Sequence, residues 1–149
     1  MREKTSAHRN LVDDVPEPVK KDRLQRMIDT FISTQKEVSQ REIGNYHLVL
    51  VDGTGKKERQ LKGKSDTYRS VIFETPSNGV AKVTNAAEFK KLSADNEEQR
   101  TPTEQVNKGD YVIVKIDRTT SGTLFGEPVC KVEFNTFFEI SGGKHVFRR

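Results

Sequence analysis

The stretch Gly109-Asp110-Tyr111-Val112-Ile113-Val114-Lys115-Ile116 constrains this chain more than any other, because a turn pair opens directly into a β-branched run. Gly tolerates positive φ and Asp bonds its own backbone, so the pair sets a turn, and the residues after it favour a pleated surface. Alternation places Val112, Val114 and Ile116 on one face and Tyr111, Ile113 and Lys115 on the other. A strand of this length crosses a small barrel, and the rest of the chain has to pack around it.

Further strands follow from the same pattern. Residues 46–52 form the first, and Gly53-Thr54-Gly55 makes the turn out of it. A second carries Leu61 toward the core and Gln60, Lys62 and Lys64 toward solvent. A third spans 68–74, with Val71 and Phe73 on one side and Ile72 on the other. After a turn over 117–122, the segments 123–126 and 128–134 make a broken final strand in which Cys130, Val132 and Phe134 share a face. The expected fold is therefore mainly β, a small barrel of antiparallel strands.

A helix precedes it. Pro18 suits the first helical position and pushes Glu17 into the cap, and Leu24, Met27, Ile28, Phe31 and Ile32 then recur at helical spacing over 18–38. At ~25 cal/mol per Å2 such a stripe can stabilise a docked helix by several kcal/mol, so it is expected to lie against the barrel or a neighbouring domain. Residues 76–108 interrupt the barrel and read as a partly mobile insertion with a short helix after Asn85, where Asn85-Ala86-Ala87-Glu88 resembles a capping box. The tail 135–149 holds Phe137, Phe138, Ile140 and Phe147, too many apolar residues for a disordered end.

Composition excludes several classes. Only 32% of the 149 residues are hydrophobic, which supports a core domain of roughly 80 residues with appendages. The excess of 26 Lys and Arg over 22 Asp and Glu is mild, so it permits nucleic-acid binding without requiring it. Cys130 is the single cysteine, which rules out an internal disulfide and a cluster held by several thiolates of this chain, and it reads as a small core hydrophobe. His8, His47 and His145 are scattered without metal-ligand spacing, Asp13 and Asp14 read as caps or charge compensation, and Gly53-Thr54-Gly55 lacks the lysine-containing pattern and following helix of a phosphate loop. No apolar run reaches membrane-spanning length and no signal peptide opens the chain, so an intracellular protein with no membrane partner is expected.

Positive charge concentrates in residues 56–69, where Lys56, Lys57, Arg59, Lys62, Lys64 and Arg69 face only Glu58 and Asp66. Such a segment binds phosphate by releasing counterions, while Tyr68 or Phe125 offers a ring on which an unpaired base can stack. Lys115 and Arg118 join the surface if the Gly109–Ile116 strand lies beside the basic one. The same lysines on a strand edge also discourage aggregation, which is the bland reading.

Several of these pieces resemble one family. Arg2-Glu3-Lys4-Thr5-x-Ala7-His8-Arg9, Asp13-Asp14-Val15-Pro16-Glu17 and Val19-Lys20 with Arg23-Leu24 look like the end of the radical S-adenosylmethionine core and exit helix of tRNA methylthiotransferases, most like the eukaryotic, typically mitochondrial, enzymes acting on isopentenyladenosine. Gly44, Leu48-Val49-Leu50-Val51, Leu61-x-Gly63-Lys64-x-Asp66, Val71-Ile72-Phe73, the Gly109 strand and Leu124-x-Gly126 look like a TRAM domain, a small OB-like barrel that binds RNA. The resemblance implies a remnant of the catalytic core at 1–17, a connecting helix at 18–38, a barrel at 44–134 with its insertion, and a tail. It also implies tRNA and the catalytic domains of the same parent protein as partners, and a mitochondrial location. The family's two 4Fe-4S clusters and S-adenosylmethionine would belong to the parent, since this chain lacks the C-x-x-x-C-x-x-C motif and is expected to be inactive alone. A protein-interaction domain using the helix stripe and the aromatic tail is the alternative.

Overall fold

The computed structural model describes residues 3–12, 14–92, 103–120, 122–144 and 146–148. Asp13, His145 and residues 93–102 of the expected insertion lie outside the described residues. In chain order the elements are α1 (Ser6–Asn10), α2 (Glu17–Gln40), β1 (Tyr46–Thr54), β2 (Gln60–Ser65), β3 (Ser70–Glu74), β4 (Val80–Val83), α3 (Ala86–Leu92), β5 (Thr103–Glu104), β6 (Tyr111–Thr119), β7 (Thr123–Val132), α4 (Phe134–Ser141) and β8 (Val146–Phe147). They divide into two compact units, Met1–Thr34 and Gln35–Arg149.

In the first unit the Thr5 hydroxyl caps α1, accepting from the His8 N–H at 3.2 Å. The second helix starts one residue earlier than its prolines indicate. Pro16, rather than Glu17, supplies the carbonyl that accepts from the Val19 and Lys20 N–H groups. Glu17 is thus helical, its carboxylate at the positive end of the dipole, and Pro18 still sits in the first turn where no N–H is required. Ion pairs Lys20–Glu17 and Arg26–Asp22 hold the polar face. Within this unit the apolar residues Leu24, Met27, Ile28, Phe31 and Ile32 are exposed, Met27 by 71% and Phe31 by 63%.

The second unit is built on a closed barrel. β1, β2 and β3 form an antiparallel meander, β6 pairs with β1 and β7, and β7 lies parallel to β3, which closes five strands in the order β1-β2-β3-β7-β6. This is the mainly β, OB-like barrel expected from the sequence, and its parallel seam is a feature that strand patterns do not reveal. Two glycines permit the closure. A Cβ on Gly63 would run into the Leu50 carbonyl oxygen, and one on Gly126 into the Lys115 carbonyl oxygen.

Register shifts bend the strands around the barrel. Asp52 is skipped between Val51 and Gly53, Val129 between Cys130 and Pro128, and Asp117 between Ile116 and Arg118. Pro128 has no N–H to give a ladder, so a bulge beside it removes little. These bulges also lengthen the strands: β1 runs on through Gly53 and Thr54, and the true turn is Gly55–Arg59, closed by Gly55 N–H to the Gln60 carbonyl. Likewise β6 continues to Thr119, and β7 is one strand and not two. β3 begins only at Ser70, because Tyr68 sits in the preceding turn at φ 60°.

β6 is a wall between two cores. Val112, Val114 and Ile116 face the barrel interior with Val49, Val51, Val71, Phe73 and Leu124. On its other side Ile113 belongs to a second cluster with Tyr46, Leu48, Val83, Phe89, Cys130, Val132 and Phe137, with Tyr111, Ile140 and Phe147 packed against it. The alternation read from the sequence is therefore present, and α3, α4 and β8 supply the residues that pack on the Tyr111 and Ile113 face. Burial drives the Cys130 thiol up to about 12, in keeping with a packing role.

That second cluster absorbs two stretches the sequence left loose. Within 76–108, β4 lies parallel to β7 and the short helix α3 buries Phe89, so much of the expected insertion is core rather than excursion. The cap of α3 is reciprocal: Asn85 Oδ1 accepts from the Glu88 N–H at 2.9 Å, and the Glu88 carboxylate accepts from the Thr84 N–H at 2.7 Å. In the tail, α4 buries Thr136 and Phe137, and β8 adds to β1. Phe134 starts α4 instead of extending the face of Cys130 and Val132, and it is 45% exposed.

A polar cluster ties β1 to the turn that precedes it. His47 is buried, its Nε2 3.2 Å from Glu42 Oε2, which also accepts from Asn45 Nδ2 at 3.0 Å. Arg148 Nε in turn donates to Asn45 Oδ1 at 2.7 Å. Burial lowers the His47 pKa below 6.5, Glu42 opposes that shift, and Arg69 adds to it. A histidine lowered in the folded state favours folding most above its unfolded value. Stability is therefore expected to fall as pH drops from about 7 toward about 5, and His47→Asn should flatten that slope. Urea midpoints across this window check it, and parallel slopes for the two proteins would show that His47 is not the group responsible.

Candidate nucleic-acid interface

Strand pairing places the basic residues on the outer surface of the barrel. Leu61, Gly63 and Ser65 turn inward, so Lys62 and Lys64 turn outward. Across the sheet, Lys62 of β2 registers with Ile72 of β3, Ile72 with Phe125 of β7, and Phe125 with Arg118 of β6. This gives one row of cation, aliphatic, aromatic and cation, and the Arg118 guanidinium lies 4.1 Å from the centre of the Phe125 ring. A neighbouring row runs Leu50, Lys64, Ser70 and Thr123. There Lys64 Nζ donates to Ser70 Oγ at 2.9 Å and stands 4.6 Å from the centre of the Tyr68 ring.

Not every candidate joins these rows. Lys56, Lys57 and Arg59 occupy the β1–β2 turn, held by backbone N–H bonds from Lys56 and Lys57 to Gln60 Oε1. Tyr68 lies in the turn before β3 and is 78% exposed apart from its contact with Lys64. Arg69 turns away, its guanidinium donating to Ser39 at 3.4 Å. Lys115 is exposed, yet it registers with Tyr46 on one side and Glu127 on the other, so an acid stands opposite it. Nor does β6 lie beside β2: Arg118 reaches the surface only by way of β7.

Two kinds of residue join this surface without a signal in the sequence. Leu50 and Ile72 supply apolar surface between the cations, and Glu74, Asp117 and Glu127 line a groove of about 770 Å3 with Lys57, Arg118 and Phe125. Charge runs in the sequence do not disclose them, because cross-strand register brings them together. On the opposite flank Lys82 and Lys131 are already paired. Lys82 holds the Glu104 carboxyl below its usual range, with Lys131 helping, and the bond from Lys131 to Asp110 raises the Lys131 pKa. That flank offers little free positive charge.

No protein-family model matches the chain. Over 141 residues, or 93% of it, the chain is 35% identical to a CDK5RAP1-like protein of Oryza sativa subsp. japonica, covering 21% of that relative. Over 88% of the chain it is 36% identical to the mitochondrial tRNA methylthiotransferase CDK5RAP1 of Mus musculus, covering 20% of it. The chain is homologous to tRNA methylthiotransferases. It is also 34% identical, over 84% of its length, to a tRNA-2-methylthio-N(6)-dimethylallyladenosine synthase of Porphyromonas gingivalis, of which it covers 21%. The chain thus spans about a fifth of the length of these curated relatives.

The residues present do not fit the clusters implied for methylthiotransferases. The single cysteine is buried with a raised pKa, and among the described residues no group of His, Cys, Asp and Glu is arranged to hold a metal ion. Among them, too, no helix is long and apolar enough to cross a membrane.

Proposed function

We propose that this chain is the RNA-binding, TRAM-like part of a tRNA methylthiotransferase, holding the anticodon arm so that catalytic domains of the same parent protein convert isopentenyladenosine to its 2-methylthio derivative. In this reading residues 1–17 end the catalytic core and α2 connects it to the barrel. The clusters and S-adenosylmethionine belong to those other domains, and the parent works in mitochondria. The observation that carries the proposal is the outer row Lys62, Ile72, Phe125 and Arg118, together with Lys64. Cations there meet phosphates, while the aromatic ring and the arginine plane take unpaired bases.

The test is tRNA affinity across a salt series. Neutralising two phosphate contacts flattens the dependence of log K on log salt by about 1.4 to 1.8 in slope. The variant with Lys62→Ala and Lys64→Ala should show such a flattening and weaker binding at low salt. Absence of binding at low salt, or an unchanged slope, removes the proposal.

The exposed stripe of α2 supports a second contact, with protein. Leu24, Met27, Ile28, Phe31 and Ile32 offer an apolar face that a partner would bury, whereas Phe137 and Phe147 of the tail are already used inside the fold. Titration that finds a protein partner and no RNA would favour the interaction-domain reading.

A further inference from the structure

We propose that the groove between the β1–β2 turn, the end of β3 and the bulge of β6 is a subsite for one unpaired nucleobase with a preference for guanine. This rests on the RNA-binding reading above and adds to it a base specificity. The groove does not resemble a track for phosphates. Glu74, Asp117 and Glu127 outnumber Lys57 and Arg118 among its charged lining residues, so its balance is negative while the rows beside it are positive. A backbone held by Lys62 and Lys64 would therefore run past the groove, and only an uncharged part of a nucleotide enters it.

The aromatic end supplies the platform. Arg118 lies over Phe125 at 4.1 Å, which leaves the outer plane of the guanidinium available to a flat ring. Unpaired RNA bases stack on such planes and are read on their pairing edges. Asp117 is the residue skipped by the β6 ladder, immediately before Arg118. The bulge thus fixes a carboxylate next to the stacking group.

Chemistry then ranks the bases. A carboxylate only accepts hydrogen bonds, and its two oxygens suit a pair of parallel N–H donors. Guanine presents N1–H and the N2 amino group side by side. Adenine and cytosine each offer an amino group beside an acceptor nitrogen. Uracil sets one N–H between two carbonyl oxygens, which a carboxylate repels. The groove of about 770 Å3 has room for a purine.

The experiment compares binding of the full chain to short oligouridylates with and without a single internal guanosine, by fluorescence anisotropy at fixed low salt. One guanosine should tighten binding about tenfold, the scale of a bidentate base contact. A variant with Glu74→Gln, Asp117→Asn and Glu127→Gln, its folding checked by thermal melting, should lose that gain while still binding oligouridylate. Lys62→Ala should weaken both ligands alike. Equal affinity of the native chain for both ligands overturns the guanine subsite and leaves RNA binding intact, as does a gain that survives in the triple variant. Failure to bind either RNA overturns the RNA-binding reading and the subsite together.

Discussion

Phe137→Ala is expected to lower the unfolding free energy by about 3–5 kcal/mol, the usual cost of deleting a large aromatic side chain from a core. Phe137 is 1% exposed and shares its cluster with Ile113, Cys130 and Phe89. It also meets Phe138 edge-on and Phe147 at a tilt, with ring centroids 5.8 and 5.9 Å away. Truncation therefore removes both area and aromatic contacts, and the surrounding strands cannot collapse into the gap without moving β6. Because a domain of this size is stable by about 5–15 kcal/mol, the loss is a large fraction of the total. A shift of the urea midpoint measures it. A cost below about 1 kcal/mol would show that α4 does not belong to the core.

The second large effect is expected at the seam of the barrel. Gly126→Ala should cost about 3 kcal/mol, at the upper end for overpacking, because the new methyl group meets the backbone of β6 rather than a side chain that can rotate away. Gly126 pairs with Phe73 on β3 and Ile116 on β6, so moving it disturbs both ladders that close the sheet. The same substitution at Gly53, where a Cβ meets nothing within 4 Å, serves as the control. Equal midpoints for the two variants would mean that close backbone approach is not what Gly126 provides.

These two sites mark the range of what could be read from the chain. The alternation of Val112, Val114 and Ile116 is a local property of a pleated strand, and the structure buries all three together in the barrel. The capping pattern at Asn85 is local too, and α3 follows it. β4 carried no comparable signal: Val80-Ala81-Lys82-Val83 is short, and its place beside β7 depends on a parallel pairing with residues about fifty positions away. The stripe of α2 was legible as an amphipathic helix, but which surface covers it is not a property of that helix.

The candidate site divides in the same way. Lys62 and Lys64 face outward because Leu61 and Gly63 face inward, and alternation alone says so. Arg118 is different. Simple alternation from Ile116 would send Arg118 into the barrel, two residues further along the same strand. The bulge at Asp117 reverses that parity and lays the guanidinium over Phe125 on the outside.

Residues a few positions apart are enough to mark the five barrel strands, most of their inward and outward faces, the helices α2 and α3 and the concentration of positive charge on residues 56–69. Long-range packing sets the closing of β7 against β3, the second core that claims α3, α4 and β8, and the joining of Lys62, Ile72, Phe125 and Arg118 into one surface. The physical reason is that strand register and bulge position are settled by packing across the whole barrel, where a shift of one residue exchanges every buried side chain for an exposed one.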